Sequence, residues 1–197
     1  AQSLLFGYVG QFLYEGDAPL AERRAQALAL DTGLLAELLG RTELRELLDG
    51  EAMAEIEAEL QRLPAQRHPR DVDGASDLLR TIGDLTTGEA AVRGVPQEWL
   101  AELVDVRRTL QVRIAGEERY VAIEDAGRLR DALGTALPVG VPEVFTEPVA
   151  DPLGDLIGRF ARTHGPFQPA EAAARLGLGV AVVTATVQRL TGTGRLV

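Results

Sequence analysis

Three helical patterns followed directly by a hairpin pattern constrain the fold of this sequence more than any other feature. The apolar spacing predicts helices over residues 72–82, 86–93 and 96–108. Apolar and polar residues then alternate over residues 110–123 on either side of an Ala115-Gly116 turn, which indicates a β-hairpin. Three helices followed by a two-stranded wing are the element order of a complete winged helix.

The end of the chain repeats the first part of this order. A helix over residues 153–164 precedes a second helix over residues 170–176 and a third that carries one apolar stripe. The stripe consists of Val180, Val183, Val187 and Leu190. Arg195-Leu196-Val197 is predicted to begin a strand, so we interpret this unit as a winged helix truncated before its wing.

These patterns predict a mainly α fold with small β-hairpins, in which an N-terminal helical module precedes two winged-helix units in tandem. Residues 1–63 are the helical module, and residues 64–135 are the first winged helix with its closing helix. Residues 136–152 contain four prolines and are an extended connector. Residues 153–197 are the second, truncated winged helix.

The composition argues against several classes of protein. The chain has no cysteine and only two histidines, far apart, so neither a disulfide framework nor a structural zinc site is expected. No apolar run approaches the roughly 20 residues of a membrane span, and the first residues lack the basic region of a signal peptide. No membrane partner is therefore expected, and a cytoplasmic location is the expectation.

The charge is strongly acidic but unevenly distributed. A formal net charge of −10 argues against a freestanding protein that coats nucleic acid. Residues 1–63 hold 12 acidic residues and five arginines, residues 64–135 hold 13 and 10, and residues 136–197 hold five of each. The two later segments therefore leave room for locally basic faces.

Motifs spread over essentially the whole chain resemble one protein family. They are Leu4-Leu5-Phe6-Gly7-Tyr8-Val9 with the run from Tyr14 to Arg24, the stretch from Leu34 to Asp49, Arg70-Asp71 with Asp77-Leu78-Leu79-Arg80, and Gly140 to Thr163. Together they resemble the region that follows the two motor domains and the first winged helix in bacterial large helicase-related (Lhr) proteins.

The resemblance implies an accessory role beside an ATP-dependent motor. Lhr proteins are superfamily 2 helicases that move 3′ to 5′ along single-stranded DNA, unwind duplexes including RNA–DNA hybrids, and are associated with DNA repair. The matched region completes the path of the translocating strand. The implied partners are therefore single-stranded DNA or an RNA–DNA hybrid, and the motor domains of the same parent chain. Related tandem winged helices occur in bacterial DNA glycosylases.

The sequence lacks the motifs of both an ATP-driven motor and a DNA glycosylase. It has no Gly-x4-Gly-Lys-Ser/Thr loop and no lysine at all, so ATP and magnesium are expected in the motor of the parent helicase. No glutamine is followed two positions later by Gln or Asp, which is the signature of the related glycosylases. We therefore expect no catalytic residue, no cofactor and no metal site in this segment.

The candidate nucleic-acid-binding residues lie around the first winged helix. The densest basic cluster contains four arginines, each able to neutralise a phosphate or to pair with a nearby carboxylate: Arg107, Arg108, Arg113 and Arg119. Arg67 and Arg70 flank a loop before a helix. Two interpretations remain for this loop: contact with the nucleic-acid strand, or a solvated linker. Trp99 could stack on an unpaired base, but its apolar neighbours Leu100 and Leu103 favour core packing.

Two functions of different classes stay open. The first is a non-catalytic accessory domain of an Lhr-like helicase that contributes to the single-strand channel and to coupling in DNA repair. The second is a winged-helix protein-interaction module that docks a partner chain or a neighbouring domain. Sequence-specific recognition by the last helix is the least expected use, because its outward residues are small and weakly charged: Thr184, Thr186, Gln188 and Arg189.

Overall fold

The computed structural model describes residues 50–196, so all but the last helix of the predicted N-terminal module lies outside the described residues. The described helices are α1 Gly50–Leu60, α2 Val72–Ile82, α3 Thr87–Ala91, α4 Gln97–Asp105, α5 Ala126–Leu133, α6 Pro152–Thr163, α7 Pro169–Leu176 and α8 Val180–Gly192. The strands are β1 Thr109–Ile114 and β2 Glu117–Ala122. The predicted fold class, mainly α with a small hairpin, is confirmed.

Helices α2 to α4 and the two strands form a winged helix in the predicted order. Asp71 caps α2 by accepting a hydrogen bond from the Gly74 amide, and Thr86 begins a capping box at α3. Between these helices Leu85 exchanges two backbone hydrogen bonds with Tyr120, at 3.0 and 2.8 Å. Leu85 thereby adds a third, one-residue strand to the sheet.

The two-residue turn of the hairpin sets which side chains face each side of the sheet. Ala115 and Gly116 both adopt left-handed backbone angles, with φ of 52° and 84°, as a type I′ turn requires. The strands are antiparallel, with Ile114 opposite Glu117. Because successive side chains alternate, the apolar residues of the hairpin divide between its two faces: Leu110, Val112, Ile114 and Val121 on one, Tyr120 and Ala122 on the other.

Each face of the hairpin is covered by its own apolar core. Tyr120 and Ala122 pack with α2–α4 around Leu103, which is 0% exposed. The opposite face packs with α5–α8 around Ile157 and Leu190, also 0% exposed. The hairpin is therefore a layer shared by two groups of helices.

The C-terminal helices form the predicted helix-turn-helix, but two side chains face the opposite way from the prediction. Val180 is 50% exposed, because α8 turns Val183 and Leu190 of the predicted stripe toward the core. Thr186, expected on the outward face, is 8% exposed. Its hydroxyl donates a hydrogen bond to the Val182 carbonyl one turn earlier, at 2.9 Å.

The strand predicted at the end of the chain is wrong for the two residues that are described there. Arg195 lies in a bend and Leu196 is irregular, while Val197 lies outside the described residues. Arg195 instead binds the carboxylates of Asp151 and Asp155, at 2.8 and 3.1 Å. The domain boundaries at residues 63, 135 and 152 stay predictions; α5–α8 share a core with the hairpin.

Gly177 brings the connection between α7 and α8 against the tip of the hairpin. It follows α7 with a left-handed φ of 68°, and a Cβ at this position would lie 3.0 Å from the Ala115 Cα. Glycine alone tolerates both the angle and the approach. One side of the wing tip is therefore in contact with the C-terminal helix pair.

Replacing Gly177 with alanine is expected to lower the free energy of unfolding more than the same change at Gly134. Both glycines have left-handed φ, 68° and 65°, so both variants carry a backbone cost of about 1 kcal/mol. A Cβ at Gly134 would meet nothing within 4 Å. At Gly177 it would press on the hairpin and add about 1–3 kcal/mol of overpacking.

Urea unfolding of the two alanine variants measures this difference. Equal losses of stability in the two variants would show that the contact with Ala115 does not hold the wing tip.

Candidate nucleic-acid interface

Two of the predicted arginines present free guanidinium donors beside the hairpin. Arg107 is exposed, lies between α4 and β1 with a left-handed φ of 57°, and donates one long hydrogen bond of 3.4 Å to the Gly140 carbonyl. Arg113, on β1, has a 70% exposed side chain and lies 3.8 Å from Glu118. Exposed pairs of this length contribute little energy, so both cations are available to a phosphate.

The other two arginines of the cluster are occupied by carboxylates. Arg108 forms an ion pair with Asp73 of α2. Arg119 is 3% exposed and binds Asp84 at 2.6 Å and Glu117 at 2.7 Å. Burial alone would lower the pKa of Arg119, but its hydrogen bonds to Glu117 and Asp84 outweigh burial and raise the pKa above its ordinary value. Arg119 therefore holds β2 in place and does not form part of the surface.

The remaining candidates differ in their surroundings. Arg67 Nε binds Glu59 at 2.6 Å, whereas Arg70 is exposed and has no ion pair within residues 50–196. Trp99 is half-buried and packs against the core of α2–α4, in agreement with the core-packing interpretation. The structure thus leaves Arg70, Arg107 and Arg113 as the candidates with free cations.

The exposed face of α4, the recognition helix of the winged helix, is acidic. Glu98, Glu102 and Asp105 lie four and three positions apart on its exposed side, and α4 contains no arginine. Carboxylates repel phosphates, so α4 is unsuited to enter a groove of duplex DNA in the usual winged-helix manner. This spacing is visible in the sequence, but it becomes informative only once Leu100 and Leu103 are known to face the core.

A network of ion pairs joins the winged helix to α7 beside the hairpin. Arg175 of α7 binds Asp84 at 3.0 Å and also binds Glu89 of α3. Arg119 binds the same Asp84 and the Arg175 carbonyl, at 2.6 and 2.9 Å. Burial raises the pKa of Glu89, but hydrogen bonds from Arg175 and the Thr86 amide lower it to about 2. Asp84 is therefore an anion shared by two arginines.

A cavity of about 90 Å³ adjoins this network, and its charged lining is already paired. Arg93 donates to the Gln61 side chain at 2.6 Å and to its carbonyl at 2.8 Å. Arg159 donates two hydrogen bonds to Asp125. The first pair joins the segments that follow α1 and α3, and the second joins α6 to the residue before α5, so we assign the cavity a structural role.

The described residues hold neither a metal-binding cluster nor a membrane-spanning helix. Within residues 50–196, three or more His, Asp or Glu side chains nowhere converge in a way that could hold a metal ion. None of the helices in this range has the length and apolar character needed to cross a bilayer.

Comparison with known proteins shows which family this winged helix matches. A family model described as "Large helicase-related protein, winged-helix domain" matches residues 46–148. The whole chain is 55% identical to 200 residues of a Mycolicibacterium smegmatis protein named "Lhr helicase/ probable uracil glycosylase". An Escherichia coli protein named "Lhr helicase/uracil glycosylase" is 44% identical over 96% of the chain. The chain spans 13% of the length of each relative.

The Glu89→Gln variant is expected to be less stable than the unchanged protein at pH 7 and to lose this deficit in acid. The pKa of Glu89 is about 2 in the folded protein, against an ordinary value of 4.5. Its ion pair therefore stabilises the fold fully above pH 4.5, and this stability is lost as the pH falls toward 2. Because the side chain is 34% exposed, solvent screening limits the effect to about 1–2 kcal/mol.

Urea unfolding of both proteins at pH 7 and pH 3 measures the deficit. Glu98→Gln, at an exposed carboxylate of α4, is the control and is expected to change stability by less than about 0.5 kcal/mol at either pH. A Glu89→Gln deficit of the same size at both pH values would contradict the assignment.

Proposed function

Because the chain belongs to the large helicase-related (Lhr) protein family, we propose that it is a non-catalytic accessory domain of an ATP-dependent 3′–5′ superfamily 2 helicase. In this role it binds single-stranded DNA or an RNA–DNA hybrid and forms part of the channel of the translocating strand. One observation carries the proposal: a winged helix inside the matched residues 46–148 has two exposed arginines with free donors beside its hairpin.

The charge distribution supports a strand path along the hairpin. Arg107 and Arg113 each offer guanidinium donors that suit phosphate oxygens. The acidic face of α4 repels the same phosphates, so a bound strand is directed away from the recognition helix and toward β1. With two such cations beside the hairpin, binding along this path by the domain alone is weak and sensitive to salt.

The remaining activities are assigned to the parent protein. The chain covers 13% of its relatives and has no lysine for a phosphate-binding loop, so ATP and magnesium are bound by the motor domains, which are its first partners. The names of both relatives include uracil glycosylase, but this chain lacks the glutamine signature and is assigned no part in that reaction. We place the parent protein in the cytoplasm and in DNA repair on the same family grounds.

A labelled single-stranded oligonucleotide is expected to bind the chain with a clear dependence on salt. In the Arg107→Ala/Arg113→Ala variant two phosphate contacts are lost, so the slope of log affinity against log salt is expected to fall by about 1.4. Fluorescence anisotropy at a series of salt concentrations measures both slopes.

Arg162→Ala is the matched control, because Arg162 is exposed near the end of α6 and has no ion pair in the described part of the chain. It changes the net charge in the same direction without touching the hairpin. An unchanged slope in the double variant would contradict the proposed path. If Arg162→Ala lowered the slope by half as much as the double variant does, net charge alone would explain the result.

A second candidate function, protein docking, is favoured by the acidic face of α4. Glu98, Glu102 and Asp105 form an exposed surface that suits a basic surface on a partner chain or a neighbouring domain. If α4 docks in this way, Glu98→Gln/Glu102→Gln is expected to weaken binding to the isolated motor domains by about ten-fold. Titration calorimetry measures that affinity, and an unchanged value would contradict the docking function while leaving oligonucleotide binding unaffected.

A further inference from the structure

A groove lies beside Arg107, between the outer edge of β1 and the connector at residues 138–141. It has a volume of about 340 Å³ and mostly apolar walls, which include Val104, Leu110, Ile123 and Val139. We call it the β1 groove. A smaller groove of about 260 Å³ continues it along the strand and shares Gln111 and Pro138 with it. A volume near 300 Å³ is at the lower end of sites that hold a small molecule.

The strand that forms one wall of the β1 groove has an unpaired edge. In an antiparallel hairpin with a two-residue turn, alternate residues of β1 exchange hydrogen bonds with β2. The backbone N–H and C=O groups of Thr109, Gln111 and Arg113 therefore point away from β2. Within residues 50–196 the sheet has no strand on that side. The groove thus combines apolar walls with backbone donors and acceptors.

One residue of the groove wall contains a buried group without a partner in the structure. Thr109 lines the β1 groove and is 1% exposed, and its hydroxyl has no hydrogen-bond partner in the structure. Buried hydroxyl groups without a partner are rare in folded proteins, and each calls for an explanation.

The charges around the β1 groove suit a phosphate backbone. Arg107 lines the groove itself, and Arg113 lines its continuation together with Glu118, which is exposed and lies 3.8 Å from Arg113. Neither guanidinium is engaged by a close carboxylate. The other surfaces that a winged helix uses are less suited, because α4 is acidic and the wing tip contacts Gly177.

We infer that the β1 groove receives an unpaired base of the bound strand, while Arg107 and Arg113 contact the phosphates on either side of it. The apolar walls contact the face of the base, and the free backbone groups of β1 hydrogen-bond to its polar edge. This inference rests on the proposed function and adds to it the place where a base is held. Trp99, which is half-buried against the core of α2–α4, is not needed as a stacking platform.

The test compares two oligonucleotides that differ only in their bases, a (dT)12 strand and an abasic strand of the same length. The unchanged chain is expected to bind (dT)12 about ten-fold more tightly, the size of effect that one or two stacked bases produce. In the Val139→Trp variant the indole fills the groove, and the ratio is expected to fall to about one. Val139 is 105% exposed, so the variant is expected to fold normally, which its thermal unfolding midpoint checks.

Val144→Trp is the matched control, because Val144 lies in the same connector at 64% exposure but does not line the groove. It is expected to keep the ten-fold ratio. Photocrosslinking of (dT)12 with one central 4-thiothymidine provides a second measurement, with crosslinks expected at residues 138–141 and not at Trp99.

Four results would overturn the inference. An equal affinity of the unchanged chain for both strands, or unchanged affinities for both strands in Val139→Trp, removes the base from the groove but leaves salt-sensitive phosphate binding intact. A ratio that persists in Val139→Trp while both strands bind more weakly makes the groove a phosphate path and not a base site. No binding of either strand at low salt removes both the inference and the proposed function.

Discussion

The burial of the β1–β2 hairpin on both faces is the constraint on which the rest of the structure depends. Its alternating side chains supply one core with Leu110, Val112 and Ile114 and the other with Tyr120 and Ala122. A slip of one residue in either strand would send each set to the wrong core. The left-handed pair at the Ala115-Gly116 turn fixes the register, so one short turn determines where both groups of helices pack.

The same burial explains why some arginines of the cluster are structural and others are free. Arg119 of β2 lies opposite Val112 of β1, on the face that α7 covers. A buried guanidinium is stable only with carboxylates in hydrogen-bond contact. Asp84 and Glu117 provide them. Arg113, on the other face of β1, extends beyond the helices into solvent. Stability and the proposed strand contact therefore draw on the same residue type, and the face of the hairpin decides which arginines are buried.

Features with a local signal could be predicted from the sequence, and features that depend on long-range packing could not. The capping residues Asp71 and Thr86 and the Ala115-Gly116 turn act within a few residues, and the structure confirms the elements they begin. Arg175 and Asp84 are 91 residues apart, and no spacing rule connects them. The sequence therefore treats the four arginines of the cluster alike, because burial is decided by the fold.

The acidity of the chain has a consequence for how such a domain can contact a strand. With a formal net charge of −10, general attraction does not hold a nucleic acid on its surface, so the proposed strand contact depends, in the described part of the chain, on places where no carboxylate closely binds a guanidinium. The edge of β1 is such a place because the fold pairs Arg108 and Arg119 internally and leaves Arg107 and Arg113 outside. Few phosphate contacts mean low affinity. In the proposed function, such a domain guides a strand that a motor pulls past it and does not hold that strand in place.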